Sequence, residues 1–83
     1  MKELIEGIAR ALVDQPESVD VRVVEGEGVT VFELSVAKSD MGRIIGRKGQ
    51  NAQSIRTLLN AVGRRRGENI VLEIVESAPS ERQ

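Results

Sequence analysis

The sequence predicts an α+β domain in which three helices pack on one face of a three-stranded mixed sheet. Apolar residues recur at helical spacing in some segments and alternate with polar residues in three others. Their order along the chain is helix, strand, strand, helix, helix, strand. The helical segment between the second and third strands allows these strands to be parallel neighbours with a right-handed connection. Placing all helices on one face is the simplest layered solution.

The first half of the chain predicts a helix followed by a hairpin. Apolar residues follow a helical period over residues 2–14, and Pro16 is expected to end this helix. Val19, Val21 and Val23 then alternate with charged residues, which predicts a strand with these valines on one buried face. A short turn over residues 26–28 leads into a second strand over residues 29–37, so the two strands should pair antiparallel.

The second half predicts a short helix, a longer helix and a last strand. Ser39 or Asp40 is a suitable N-cap for a helix over residues 41–45, which Gly46 would end. The longer helix covers residues 50–64, and the strand covers residues 69–76. The predicted apolar faces are Phe32, Leu34 and Val36 on the second strand, Ala52, Ile55, Leu58, Leu59 and Val62 on the long helix, and Ile70, Leu72 and Ile74, the expected core face, on the last strand.

Length and composition limit the classes of function. The 83 residues predict one domain over residues 1–76 and a flexible, polar tail over residues 77–83. The chain has no Cys and no His, which removes thiol nucleophiles, imidazole catalysis and the usual zinc ligands. We therefore expect no enzymatic activity, metal or cofactor. Without a long apolar run or a signal peptide, we also expect a cytoplasmic protein with no membrane contact.

Charge is distributed very unevenly along the chain. Residues 41–67 contain 7 cations and no acid, whereas the remaining residues contain 5 cations and 13 acids. The net charge of −1 therefore hides a strongly basic segment in an otherwise acidic protein. This asymmetry favours a nucleic-acid contact confined to one face.

The centre of the basic segment is the turn Gly46-Arg47-Lys48-Gly49, which lies between the two predicted helices. Glycine can adopt positive φ and expose backbone N–H groups to an anion, and the start of the following helix also favours phosphate. A Walker A loop is excluded, because it requires four residues between its glycines and a Ser or Thr after its Lys. The turn therefore predicts contact with a nucleic-acid backbone.

Residues 42–56, which span both helices and the turn, resemble the core of a KH domain, and the element order resembles the type II arrangement. The resemblance covers nearly the whole chain and is closest to the KhpA family of small bacterial KH proteins. It implies binding of single-stranded RNA, with a larger KhpB/Jag-type KH protein as partner. It also implies a role as RNA chaperone or post-transcriptional regulator, linked to cell elongation and cell-wall homeostasis.

The resemblance also assigns roles to individual residues. The family's GXXG loop falls on Gly46, Arg47, Lys48 and Gly49, whose backbone would contact phosphate and sugar while the two cations supply charge. The aliphatic candidates for the base-facing groove are Ile44, Ile45, Ala52 and Ile55, and the sequence does not separate groove from core among them. Arg43 and Arg56 would flank the groove. RNA and single-stranded DNA are not distinguished, and Arg64, Arg65 and Arg66 suit a helix end as well as an RNA contact.

The alternative function is a protein-interaction or dimerisation module with little intrinsic nucleic-acid binding. Val31, Val71 and Val75 are predicted to share the sheet face that no helix covers, and an exposed valine patch suits a protein partner or a homodimer. The two functions are compatible. A single domain that contacts about four nucleotides should bind weakly alone, so a partner or self-association would raise its avidity.

Overall fold

The computed structural model describes residues 1–77 and confirms the predicted order of elements. The predicted tail lies outside the described residues except for Ser77, and the domain boundary at residue 76 stays a prediction. The helices are α1 (Lys2–Leu12), α2 (Met41–Ile45) and α3 (Gln50–Arg66), and the strands are β1 (Asp20–Gly26), β2 (Val29–Val36) and β3 (Ile70–Glu76). Single 3₁₀ turns lie at Pro16–Ser18, Lys38–Asp40 and Arg47–Gly49.

The sheet has the order β1-β2-β3, with β1 and β2 antiparallel and β2 and β3 parallel. Gly26 pairs with Val29, so only two residues form the hairpin turn, and Gly28 adopts a φ of +72° there. At the far end of the parallel pair, the Ser77 N–H donates to the Val36 carbonyl over 2.7 Å. The mixed sheet expected from the helical crossover is therefore confirmed.

One face of the sheet forms the core together with the helices. The predicted strand face of Phe32, Leu34 and Val36 is buried, and α1, α2 and α3 contribute buried aliphatic side chains to the same cluster. The buried set is Ile5, Val19, Val21, Phe32, Leu34, Val36, Ile44, Ile55, Leu59, Ile70 and Leu72, with Ala9 between them. Ile74 is only partly buried and packs against the edge of this cluster.

Two residues of the predicted apolar faces are exposed. Leu58 is 45% exposed, because α3 packs through Ala52, Ile55, Leu59 and Gly63, and Leu58 is rotated by about 100° from Leu59 in a helix of 3.6 residues per turn. Val23 pairs with the core residue Phe32 but is 41% exposed, so the helical layer does not cover this part of the edge strand.

Asp40 does not cap α2 as expected. It occupies the N-cap position, but its side chain makes no capping hydrogen bond. Its carboxylate is 1% exposed and instead accepts hydrogen bonds from the backbone N–H groups of Asp14 and Gln15, each over 3.1 Å. Arg43 lies 3.5 Å from the same carboxylate. These partners satisfy a buried charge and tie the start of α2 to the segment that follows α1.

Gly63 sets the close approach of α3 to the strand that follows it. A Cβ atom at this position would lie 2.8 Å from the Glu68 carbonyl and 3.1 Å from the Ile70 side chain. The Glu68 N–H donates back to the Gly63 carbonyl over 2.7 Å, and Gly67 ends the helix with a φ of +70°. Among residues 1–77, none of the helices combines the length and apolar character needed to cross a membrane.

We predict that Gly63→Ala lowers the free energy of unfolding by about 1–3 kcal/mol, because the new methyl group overpacks a rigid backbone contact. The matched control is Gly7→Ala on α1, where an added Cβ meets nothing within 4 Å. This control should raise stability by about 0.5–1 kcal/mol, the usual helix preference of Ala over Gly. Urea unfolding followed by circular dichroism measures both, and a similar gain in the two variants would contradict the close approach.

Candidate nucleic-acid interface

The turn between α2 and α3 begins at Gly46, where backbone conformation and space both require glycine. Gly46 has a φ of +78°, and its N–H donates to the Gly42 carbonyl over 2.8 Å. A Cβ atom here would lie 2.7–2.9 Å from side-chain and backbone atoms of Asn51. Real Cβ atoms do not approach other atoms so closely, so any other residue would push α2 and α3 apart.

Two consecutive left-handed residues complete the turn. Lys48 has a φ of 55° and a ψ of 27°, and Gly49 has a φ of 75° and a ψ of 15°. The positive φ of Gly46 and Gly49 agrees with the flexibility expected of glycine. Lys48 was not expected to adopt it, since a left-handed L-residue costs about 1–2 kcal/mol. Strain of this kind concentrates at functional sites.

The turn leaves backbone donors available. Its own hydrogen bonds use the N–H groups of Gly49, which donates to the Gly46 carbonyl over 3.1 Å, and of Gln50, which donates to the Arg47 carbonyl. The N–H groups of Arg47 and Lys48 have no backbone acceptor within residues 1–77. Both side chains are exposed. The turn therefore offers two adjacent amide donors and two cations, a combination suited to a phosphate.

Asn51 is a positioning residue that the sequence analysis did not single out. Its side-chain amide Nδ2 donates to the Arg43 carbonyl over 2.8 Å. This bond satisfies one of the carbonyls that the end of α2 leaves without a helical partner. It also joins the first turn of α3 to α2. The only sequence signal was an Asn just after the second loop glycine, which is also an ordinary residue near a helix start.

The four aliphatic groove candidates differ in how much of each side chain is exposed. Ile44 is fully buried and Ile55 is 7% exposed, and both belong to the core cluster. Ala52, which lies in the first turn of α3, is also buried. Ile45 is 38% exposed and directly precedes the glycine turn. Ile45 is thus the one candidate of the four with a substantial apolar surface open to a ligand.

The two flanking arginines have different surroundings. Arg43 Nη2 lies 2.9 Å from a carboxylate oxygen of Asp14, and its Nε lies near Asp40, so acids balance its charge. Arg56 forms no ion pair with any acid in the described part of the chain. Its guanidinium instead donates to the Leu72 carbonyl over 3.3–3.4 Å. No acid among the described residues therefore pairs with the Arg56 guanidinium at the edge of β3.

A cleft of about 320 Å³ lies between α3 and the free edge of β3. The helix lines it with Arg56, Leu59 and Asn60, and the strand side with Asn69, Ile70, Val71 and Leu72. Within residues 1–77, β3 pairs with β2 alone, so alternate backbone groups of β3 face this cleft, and the Leu72 carbonyl is one of them. The cleft does not follow from the sequence pattern, because it depends on how α3 crosses the sheet edge.

The functional groups of this region are mainly hydrogen-bond donors, cations and aliphatic side chains. Residues 41–67 supply cations, amides and aliphatic side chains but no carboxylate. No three metal-ligating side chains cluster anywhere in the portion that the structure describes. Neither a general base nor a set of metal ligands is therefore positioned at the turn.

The opposite sheet face carries a row of three valines. Val24, Val31 and Val71 are direct neighbours across the three strands, and Val24 and Val71 are each at least 40% exposed. The register confirms that Val31, Val71 and Val75 share this uncovered face, and it adds Val24. A neighbouring row of Arg22, Glu33 and Glu73 limits the size of the apolar patch.

Comparison with protein families identifies a relationship over nearly the whole chain. The model of the family described as "KhpA/KhpB, KH domain" matches residues 2–74. The protein named RNA-binding protein KhpA from Borreliella burgdorferi is 47% identical over 74 residues, which cover 89% of this chain and 90% of the relative. RNA-binding protein KhpA from Aquifex aeolicus is 42% identical over 76 residues, which cover 92% of this chain and 96% of the relative.

Two solved structures of Era share the fold. One is Aquifex aeolicus Era bound to GDP and aluminium fluoride, with a TM-score of 0.64 and 25% identity over 95% of this chain. The other is Era in complex with MgGDPNP and nucleotides 1506–1542 of 16S ribosomal RNA, with a TM-score of 0.63 and 26% identity over 98% of this chain. In both cases this chain spans 31% of the Era chain, so the likeness concerns one part of Era.

We predict that Lys48→Gly raises the free energy of unfolding by about 1 kcal/mol, because glycine removes the cost of a left-handed L-residue. The matched control is Lys38→Gly, which removes the same charge at an exposed residue without positive φ. That variant should be neutral or destabilised, since glycine loses more backbone entropy on folding. Thermal unfolding of the two variants measures the difference, and a loss of stability in Lys48→Gly would contradict the strained turn.

Proposed function

The chain belongs to the KhpA/KhpB family of KH domains, and we propose that it binds single-stranded RNA through the turn formed by Gly46, Arg47, Lys48 and Gly49. The fold is a type II KH domain, and the family is one of RNA-binding proteins. The observation that carries the proposal is that the turn combines two adjacent amides without a backbone acceptor and two exposed cations within residues 1–77. We infer a binding role rather than a catalytic one.

In this proposal the turn holds the RNA backbone, and the surface beside it holds sugars and bases. KH domains clamp about four nucleotides across this loop. Arg47 and Lys48 attract phosphate, Ile45 supplies the apolar surface next to the turn, and Arg56 continues the positive charge toward the cleft. Arg43 contributes mainly by holding α2, since two acids balance its charge. Ile44, Ala52 and Ile55 are buried and offer little surface to RNA.

Single-stranded DNA carries the same phosphates, so the preference for RNA rests on recognition of the 2′-OH. The naming of the relatives as RNA-binding proteins supports RNA. The structural likeness to Era, which was solved in complex with a segment of 16S ribosomal RNA, supports it too. Parallel titrations with RNA and DNA of one sequence would measure this preference.

A single site for about four nucleotides binds weakly, so we propose that the chain acts together with a second RNA-binding domain. A larger KhpB/Jag-type KH protein is the partner that fits best, because one family description covers both kinds of protein. Linking two weak sites raises the overall affinity through effective concentration. In this arrangement the protein would act in the cytoplasm as an RNA chaperone or post-transcriptional regulator, with an influence on cell elongation and cell-wall homeostasis.

The second candidate function is a protein-interaction or dimerisation module. The valine row favours this second function. The exposed Val24 and Val71 flank the half-buried Val31, so the three side chains form one continuous apolar surface across three adjacent strands. This surface lies on the sheet face away from the helices. A homodimer or a protein partner could therefore occupy it while RNA occupies the turn.

We predict that the double variant Arg47→Asp with Lys48→Asp abolishes binding to short single-stranded RNA and leaves the fold intact. Both side chains are exposed, and the reversed charges repel phosphate. The matched control reverses Lys2 and Arg10, two exposed cations of α1 that change the net charge equally. Fluorescence anisotropy measures affinity, and circular dichroism checks the fold.

The salt dependence of RNA binding by the wild-type protein measures how many phosphates the protein contacts. Three or four phosphate contacts predict a slope of log affinity against log salt of about −2 to −3 on a single strand. The control should keep this slope. Affinity retained by the double variant, or lost equally by the control, would remove the turn from the mechanism and favour the protein-interaction module.

A further inference from the structure

Two carboxylates hold the Arg43 guanidinium in different ways. Asp40 is 1% exposed, and its carboxylate lies 3.5 Å from Arg43 Nε. The Asp14 side chain is 71% exposed, and its Oδ2 accepts a hydrogen bond from Arg43 Nη2 over 2.9 Å. One acidic partner of Arg43 is therefore buried in the fold, and the other is open to solvent.

We propose that the ion pair between Asp14 and Arg43 is exchangeable, so that a phosphate of bound RNA displaces the Asp14 carboxylate and takes its place on Arg43. The proposal rests on the RNA-binding function proposed above, and it adds to the anchoring role of Arg43 in the free protein. Asp14 then acts as an internal competitor of RNA. It keeps the affinity and the salt dependence of binding below what the basic segment could otherwise support.

Asp40 keeps Arg43 in place during this exchange. Its two carboxylate oxygens accept hydrogen bonds from the backbone N–H groups of Asp14 and Gln15, each over 3.1 Å. These bonds use the backbone of Asp14 and not its side chain, so they persist when the Asp14 carboxylate is displaced. Because a guanidinium is planar and rigid, the contact at Nε holds the whole group while Nη2 changes its partner.

The contact with Asp14 is weak enough to be exchanged. The side chains of Arg43 and Asp14 are 54% and 71% exposed, and exposed ion pairs contribute little to stability. A phosphate oxygen accepts the same charge-assisted hydrogen bond from a guanidinium as a carboxylate oxygen does. The exchange replaces one anionic acceptor of Arg43 by another, so its free-energy cost is small.

Arg43 lies close to the turn that holds the RNA backbone. It precedes Gly46 by three residues on α2, a rise of about 4.5 Å along the helix axis, and residues at this spacing share one face of a helix. The Arg43 carbonyl also accepts the hydrogen bond from Asn51, which ties this residue to the start of α3. RNA held at Arg47 and Lys48 therefore brings a neighbouring phosphate within reach of the long Arg43 side chain.

Exchange has a distinctive dependence on salt. A phosphate that binds an unpaired cation releases condensed counterions and makes the slope of log affinity against log salt more negative by about 0.7 on a single strand. A phosphate that displaces Asp14 releases the same counterions, but the freed carboxylate attracts cations from solution. The Arg43 contact should therefore add little to the slope of the wild-type protein, and its full share once Asp14 is neutral.

The test is a double-mutant cycle of Asp14→Asn and Arg43→Gln, in which fluorescence anisotropy measures binding of a short single-stranded RNA. Asp14→Asn removes the charge, keeps the size of the side chain and retains the backbone N–H that donates to Asp40. It should strengthen binding about threefold at about 0.1 M salt and make the salt slope more negative by about 0.7. In the Arg43→Gln background, Asp14→Asn should change neither quantity.

The matched control is Asp20→Asn, which removes the same charge from an exposed residue of β1. Asp20 lies on the sheet face away from the helices, in line with Arg22 and Val24. This control should leave both affinity and slope unchanged. An equal gain in Asp14→Asn and Asp20→Asn would reveal an effect of net charge and refute the exchange. A gain from Asp14→Asn that persists in the Arg43→Gln background would refute it too.

The carboxyl ¹³C resonance of Asp14 gives a readout that does not depend on affinity. Its position in the Arg43→Gln variant reports the unpaired carboxylate. Saturating RNA should move the Asp14 resonance of the wild-type protein toward that position and leave the Asp40 resonance in place, whereas an unmoved Asp14 resonance would overturn the exchange. The double variant Arg47→Asp with Lys48→Asp tests the turn separately, since it retains both members of the ion pair.

Discussion

The site depends on the contact between Gly46 and Asn51. There is no space for a Cβ atom at Gly46, and the Asn51 side chain that fills this space donates to the Arg43 carbonyl. The contact holds the end of α2 close to the first turn of α3. Consecutive left-handed residues follow at Lys48 and Gly49, and the amides of Arg47 and Lys48 have no backbone acceptor within residues 1–77. Such preorganisation reduces the entropy that binding would otherwise cost.

The rest of the fold holds this turn in place and supplies the surfaces around it. Asp40 anchors the start of α2 through the backbone of Asp14 and Gln15, and Gly63 lets α3 approach the strand that follows it. Together they position the basic helix along the free edge of β3. The valine row lies on the sheet face away from the helices, and it meets the cleft at Val71, which belongs to both. The glycine turn and the valine row, in contrast, have no residue in common.

Much of this architecture is predictable from the sequence, because alternation and helical periodicity report directly on which face of an element is buried. The pairing of β1 with β2, the crossover to β3 and the core face of β2 follow from such local patterns. The predictions for Leu58, Val23 and Asp40 were wrong because tertiary contacts determine the burial of the first two and the hydrogen-bond partners of the third. Periodicity does not show where a helical layer ends, and a carboxylate at an N-cap position can bond to a distant backbone instead. The strain at Lys48, the role of Asn51 and the cleft between α3 and β3 depend on how two elements meet, which no single segment encodes.

The most direct measurement is an NMR titration of ¹⁵N-labelled protein with a short single-stranded RNA. If the turn is the primary site, the amide resonances of Arg47 and Lys48 shift first and furthest, followed by those of Ile45 and Gly49. The resonances of Val24 and Val31 on the opposite sheet face stay in place. Shifts confined to that face, or none near the turn at saturating RNA, would contradict RNA binding at the glycine turn.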